Sequence, residues 1–118
     1  MLTQYFNGQL VFQNELIEDA LMNIVGMLSK VQTKVPADKK LDIVYVLDYI
    51  YQNKFSNPLF KRRYTHLLTQ WVKIIPKQKL LDYFRILLQS LSGLTDNVLI
   101  YEHCRTIHEI IKEIDYWI

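Results

Sequence analysis

The residues with the greatest potential for chemistry lie near the C-terminal end, where His103, Cys104 and His108 fall within six residues of one another. Imidazole and thiolate groups are zinc ligands. Successive helical residues turn by about 100°, so the two histidines point about 140° apart and only Cys104 and His108 share a face. A third ligand, His66, would need a contact between helices. Two ligands are too few for a zinc site, and the pattern predicts neither a metal nor a cofactor.

The same segment predicts a buried apolar stripe with a solvated acidic face opposite it. Free cysteine packs as a small hydrophobe, so Cys104 is expected inside with the isoleucines of the stripe, which are Ile100, Ile107, Ile111 and Ile114. Weak ion pairs are expected on the outer face between Arg105 and Glu109 and between Glu109 and Lys112. The acidic face offers basic partners three candidate residues, Glu102, Glu109 and Glu113.

The densest basic run, Lys61-Arg62-Arg63, opens a predicted helix. Cations there are mildly unfavourable against the helix dipole, which suggests a use such as binding an acidic partner, a phosphate or carboxylates of an adjacent helix pair. We favour instead a solvated helix start whose long side chains cover apolar surface, with pairing to the adjacent helix pair as its expected form. The three residues join the glutamates as candidate partner-binding residues.

Composition and motifs argue against several classes of function. The 118 residues carry a net charge of +2, which is low for a nucleic-acid binder, and no apolar run approaches the ~20 residues that cross a bilayer. A single cysteine favours a reducing compartment. Gly8, Gly26 and Gly93 stand alone, so there is no phosphate-binding loop, and there is no nucleophile elbow. We therefore expect no enzyme, no nucleic-acid partner and no membrane insertion.

Helical periodicity predicts an all-α fold. Start signals are Asn14, Asp38, Asn57 followed by Pro58, and Thr95 or Asp96, while Pro76 and Ser92-Gly93 act as stops. The first dozen residues suit the tail of a preceding helix that ends at Asn7-Gly8. Trp71 and Tyr64 are expected in the core. The expected helices span residues 14–31, 38–53, 58–75, 77–91 and 96–115.

Spacing within the chain favours a stacked array of helices over a closed bundle. The segments NIVGML, LLTQWV and RTIHEI begin at residues 23, 67 and 105, so similar positions recur after 44 and then 38 residues. Periods of about 40 to 47 residues are typical of HEAT repeats. The chain ends at Trp117 and Ile118 without a polar capping helix. Residues 1–118 are therefore expected to form one continuous HEAT-repeat segment, about two and a half helix pairs of a longer α-solenoid.

Three segments in this order resemble the central HEAT repeats of importin-β family nuclear transport receptors (karyopherins), above all the importin eleven branch and its fungal relatives. They read LIEDALMNIVG (16–26), FKRRYTHLLTQWV (60–72) and LLDYFRILLQSLSGLTDNVLIYEHCRTIHEIIKEID (80–115). The chain departs from the family at Thr69, where the Gly-Gln-Trp-like turn has glycine. It departs again at Leu99, where the Asp-x-Val-Arg pattern has arginine.

This resemblance implies a segment of a nuclear import receptor that carries protein cargo through the nuclear pore under Ran-GTP control. Cargo and Ran bind the concave side of such receptors, and phenylalanine-glycine nucleoporins bind the convex side. Helices 14–31, 58–75 and 96–115 would then be inner and the other two outer. The protein would occupy cytoplasm, nucleus and nuclear envelope, and an isolated segment would self-associate through its exposed end faces. A generic helical-repeat scaffold unrelated to transport is the alternative.

Overall fold

The computed structural model describes residues 14–34, 36 and 41–117, and this part of the chain contains helices and no strand. The all-α prediction is confirmed for it. A short 3-10 turn, Gln32–Lys34, follows the first helix. The α-helices are α1 (Glu15–Leu28), α2 (Ile43–Asn53), α3 (Pro58–Trp71), α4 (Lys77–Leu91) and α5 (Asn97–Trp117).

Four of these helices begin at an Asn or Asp whose side-chain oxygen accepts a hydrogen bond from a backbone N–H two residues later. The donor–acceptor distances are 2.8 Å at Asn14, 3.1 Å at Asp42, 2.9 Å at Asn57 and 2.8 Å at Asp96. Such bonds satisfy amides that have no partner inside the helix. Three of the four caps were predicted. The predicted cap Asp38 lies outside the described residues, and α2 begins only at Ile43.

Helix α1 ends at Leu28, earlier than predicted. Its last four carbonyl groups accept hydrogen bonds from groups other than the amides of a further α-helical turn. The indole Nε1–H of Trp71 donates to the Val25 carbonyl at 3.1 Å. The next three carbonyls, of Gly26, Met27 and Leu28, accept from amides three residues later, which tightens the chain into a 3-10 turn. A side chain of α3 therefore helps to terminate α1.

Helix α3 occupies the centre and contacts α1, α2 and α5, while α4 packs against α5. Helices α1, α3 and α5 lie side by side. On the opposite side of α3, two residues of α4 contact Asp48 of α2: Lys79 through an ion pair and Tyr83 through a hydrogen bond. The molecule measures 34 × 33 × 19 Å, and its short dimension equals about two helix diameters. The helices thus form two layers, one of α1, α3 and α5 and the other of α2 and α4.

The face that α1 buries differs from the one that its helical spacing of apolar residues predicts, which contains Ile17, Leu21, Ile24, Leu28 and Val31. Leu21 is buried as expected, but Ile17, Ile24 and Val31 are exposed. A Cβ at Gly26 would collide with the carboxamide end of the Gln70 side chain of α3, so Gln70 packs over the position where α1 has no side chain. The core-facing residues of α1 are Glu18, Leu21, Met22, Val25 and Gly26.

An aromatic group fills the space between α2, α3 and α4. Tyr64 is fully buried, as predicted, with its ring centroid 5.1 Å from that of Phe55 and 6.1 Å from that of Tyr83. The Tyr83 hydroxyl donates to Asp48 at 3.3 Å. The Tyr64 hydroxyl has no hydrogen-bond partner among the described residues. Burial raises the pKa of both phenols above the usual value, so both are neutral.

Replacing Tyr64 or Tyr83 with phenylalanine is expected to change the stability in opposite directions. Tyr64→Phe removes a buried unpaired hydroxyl and should raise the free energy of unfolding by about 1 kcal/mol. Tyr83→Phe removes a hydrogen bond to a carboxylate and should lower it by about 1 kcal/mol. Urea unfolding followed by circular dichroism measures both. Destabilisation by Tyr64→Phe would show that the hydroxyl has a partner in solution.

Candidate functional site

The structure brings together three of the six candidate partner-binding residues around a histidine that the prediction did not include. Arg62, Arg63 and His66 share one face of α3. Asp19 of α1 flanks this face on one side and Glu102 of α5 on the other. We call this group the α3 polar cluster; its members are Asp19, Arg62, Arg63, His66 and Glu102.

On the α1 side, Arg63 forms a two-pronged ion pair with Asp19. Its Nε and Nη2 atoms lie 2.8 and 3.0 Å from the two carboxylate oxygens, and Nη1 donates to Asn23 at 3.3 Å. Both charged side chains are more than four-fifths buried. Paired geometry of this kind is among the stronger forms of ion pair. The sequence had favoured pairing of the basic run with a carboxylate of a neighbouring helix, and Arg63 makes such a pair.

On the α5 side, one carboxylate oxygen of Glu102 accepts two hydrogen bonds. His66 Nε2 lies 3.1 Å from it and Arg105 Nη2 lies 2.7 Å from it. Burial lowers the pKa of His66, and the charges of Arg63 and Arg62 lower it further, although Glu102 acts in the opposite direction. The imidazole is therefore neutral at pH 7. Since the carboxylate only accepts, Nε2 carries the proton and Nδ1 is left as an acceptor.

The buried face of α5 is turned from the predicted one, and the prediction that Cys104 lies inside is wrong. Cys104 and Ile111 are exposed, whereas Glu102 is only 7% exposed and does not face water. Among residues 97–115 of α5, whose side chains are described, the buried ones are Leu99, Glu102, His103, Thr106 and Ile110. Three of the five are polar and find partners on α3 or α4. These partners lie far away in sequence, so the apolar pattern of α5 alone could not reveal them.

The remaining candidate residues lie apart from the α3 polar cluster or at its edge. Glu109 pairs with Lys112 at 3.7 Å, as predicted, while Arg105 pairs with Glu102 rather than with the predicted Glu109. Glu113 lines a separate shallow cleft beside Lys73 and Lys77. Lys61 places its ammonium nitrogen 4.8 Å from the ring centroid of Phe55. Acidic and basic candidates therefore do not form two separate patches.

Three threonines connect α3 and α5 one turn beyond His66. The hydroxyl groups of Thr69 and Thr106 lie 3.1 Å apart. Each hydroxyl also lies within hydrogen-bonding distance of the Thr65 carbonyl oxygen, at 3.1 Å for Thr69 and 3.2 Å for Thr106. Because a hydroxyl carries one proton, one of the two donates to this carbonyl and the other donates to its neighbouring hydroxyl. The three threonines thus link α3 to α5.

Ser90 and His103 form a hydroxyl–imidazole pair that sequence reasoning missed. Ser90 Oγ lies 2.9 Å from His103 Nε2, and Nδ1 lies 2.9 Å from the Leu99 carbonyl. That carbonyl only accepts, so Nδ1 donates and Nε2 accepts from the serine. A nucleophile and base act at an accessible cleft with oxyanion donors. His103 is fully buried and the pair lines neither of the two clefts described, so it holds α4 against α5.

The three residues with metal-ligand chemistry near the C-terminal end, His103, Cys104 and His108, point in different directions. His103 faces α4 from the interior, while Cys104 and His108 are exposed. Within residues 14–34, 36 and 41–117, no three His, Cys, Asp or Glu side chains lie close enough to hold a metal ion. No helix in the same part of the chain is long and apolar enough to span a membrane.

Comparisons with protein-family models, with curated proteins and with solved structures found no match to this chain.

Burial lowers the pKa of both His66 and His103, so we expect stability to fall as the pH drops below about 6.5. In that range the unfolded chain binds more protons than the folded one, and each histidine costs up to about 1.4 kcal/mol per pH unit. His103→Gln should therefore flatten the profile between pH 7.5 and 5.5. His108→Gln, at an exposed position of the same helix, should leave it unchanged. Urea midpoints across this range provide the measurement, and a flat wild-type profile would contradict the expectation.

Proposed function

We propose that this chain is a non-catalytic, protein-binding segment of a nuclear import receptor, built from stacked HEAT-type helix pairs. The observation that carries the proposal is the pair of helix layers. In a stack of helix pairs, each helix lies beside the helix two positions along the chain. Helices α1, α3 and α5 follow this order. The two layers coincide with the helices that the resemblance assigns to the inner and outer surfaces.

The two outermost helices of the α1–α3–α5 layer carry apolar side chains on faces that no described helix covers. On α1 and in the turn that follows it, these side chains are at least 40% exposed, and they are Leu16, Ile17, Ile24, Met27 and Val31. On α5 the corresponding residues are Val98, Tyr101 and Ile111. Neighbouring repeats of a longer receptor would bury both faces. The proposal therefore accounts for a large apolar surface that would be costly to leave in water.

The polar surface of the same layer suits protein partners of either charge. Arg62, Arg105 and Lys112 are exposed on α3 and α5, and Glu109 lies beside Lys112. Complementary charges of this kind set specificity and association rate more than affinity. In the proposed receptor, cargo and Ran-GTP bind this layer, nucleoporins bind the α2–α4 layer, and the protein moves between cytoplasm and nucleus.

The decisive experiment uses the full-length protein that contains this segment. We expect it to bind Ran loaded with a non-hydrolysable GTP analogue and to release bound cargo when it does. Ran loaded with GDP is the control and should do neither. Affinity capture with purified components measures both steps. Absence of Ran-GTP binding would overturn the nuclear transport proposal.

A generic helical scaffold is the second candidate, favoured by the same layers and exposed faces, which would serve any stacked helical protein. The two candidates differ in one outcome. A scaffold unrelated to transport would bind its partners without any response to Ran-GTP.

The exposed apolar faces predict that the isolated chain self-associates, because each face can bury itself against a second copy. Light scattering should give a mass that rises with concentration. Ile24→Lys, in the middle of the α1 face, should shift the mass towards the monomer. Leu81→Lys, at an exposed apolar position of α4, is the matched control and should not. A strictly monomeric wild-type chain would argue against exposed stacking faces.

A further inference from the structure

A surface cleft of about 230 Å³ lies between α1 and α3, lined by Asp19, Leu59, Arg62, Arg63 and His66. Four of the five lining residues belong to the α3 polar cluster. A water molecule takes up about 30 Å³ of liquid volume, so the cleft has room for a carboxylate group with its neighbouring methylene groups. The size suits a side chain of a partner and is small for a typical cofactor.

The cleft holds one positive charge that nothing in the described chain neutralises. Asp19 uses both carboxylate oxygens on Arg63, so these two charges offset each other. The Arg62 side chain is exposed and has no ion-pair partner among the described residues. Glu102 of α5 does not line the cleft, and it already accepts hydrogen bonds from His66 and Arg105. An anion entering the cleft would therefore meet Arg62 without displacing an existing pair.

The donors beside Arg62 are already held in place. Three of the five N–H groups of Arg63 are occupied by Asp19 and Asn23, which fixes the guanidinium and leaves two N–H groups available. Groups positioned in advance lose little conformational entropy when a ligand binds. Leu59, one turn before Arg62 and Arg63, adds an apolar wall against which an aliphatic stem can pack.

We infer that this cleft binds a glutamate or aspartate side chain from an acidic segment of a partner protein, with Arg62 as the principal contact and Arg63 as a fixed second donor. The inference deepens the proposed function by giving one protein-binding surface a partner chemistry. It rests on that function only in placing α3 on a protein-binding layer.

The test uses the 118-residue chain and a fluorescein-labelled peptide rich in Asp and Glu, with a Gln/Asn version of the same peptide as its partner control. Fluorescence anisotropy should show binding of the acidic peptide only, and the affinity should fall as salt rises. Arg62→Gln should weaken binding by about tenfold, the usual scale for a lost charge-assisted contact. Arg85→Gln, at an exposed arginine of α4, should stay within about twofold of wild type.

Each alternative outcome bears on the inference. Equal binding by wild type and Arg62→Gln, equal binding of the two peptides, or tighter binding of a single-stranded RNA of the same charge would each overturn it. Amide shifts in the NMR spectrum must also centre on residues 59–66 when acidic peptide is added. The Ran experiment is independent of this test. A protein that binds the acidic peptide but does not bind Ran-GTP would remove the transport proposal, while the assignment of the cleft to acidic side chains would stand.

Discussion

The arrangement of this chain depends on one constraint: α3 is covered by three other helices, and buried polar groups of α3 other than the Tyr64 hydroxyl find partners on them. Trp71 donates to the end of α1, and Thr65 offers its carbonyl to Thr106 of α5. Unpaired polar groups in an interior are costly, so each of these bonds fixes how far one helix can slide along the next. The position of α3 thus determines the register of the whole α1–α3–α5 layer.

These polar contacts specify the arrangement more than they stabilise it. A buried ion pair such as Arg63 with Asp19 gains Coulomb energy but loses the hydration of both groups, so its net contribution is small. The stabilising free energy comes mainly from the apolar cluster around Leu47, Phe60 and Trp71, all essentially inaccessible to water. The polar contacts would instead penalise shifted alignments of the same apolar faces. Polar contacts that fix the alignment, together with apolar contacts that supply the stability, suit a layer that presents charged residues in fixed positions.

Local sequence signals made the helices predictable, but they did not reveal which face each helix buries. Asn14, Asn57 and Asp96 act as caps through bonds to residues two positions away, which a sequence window contains. The buried face of α1 places Gly26 beside Gln70, and that of α5 brings Glu102 to α3 and His103 to α4. Similarly, the basic run indicated Arg62 and Arg63, but nothing in the sequence indicated that His66 would join them. The partners in these contacts lie 13 residues or more apart along the chain.

The uncovered faces of α1 and α5 have a consequence for assembly, because they lie on either side of α3 and are unlike each other. The α1 face is mainly aliphatic, whereas the exposed face of α5 sets Val98, Tyr101 and Ile111 beside Arg105, His108 and Lys112. A contact that joins the α1 face of one copy to the α5 face of the next is heterologous. Unless the rotation between successive copies closes a ring, every added copy leaves one α1 face and one α5 face uncovered at the ends of the assembly. Growth is then open-ended. The uncovered faces that would let further helix pairs stack within a longer chain would therefore also let separate chains form fibres.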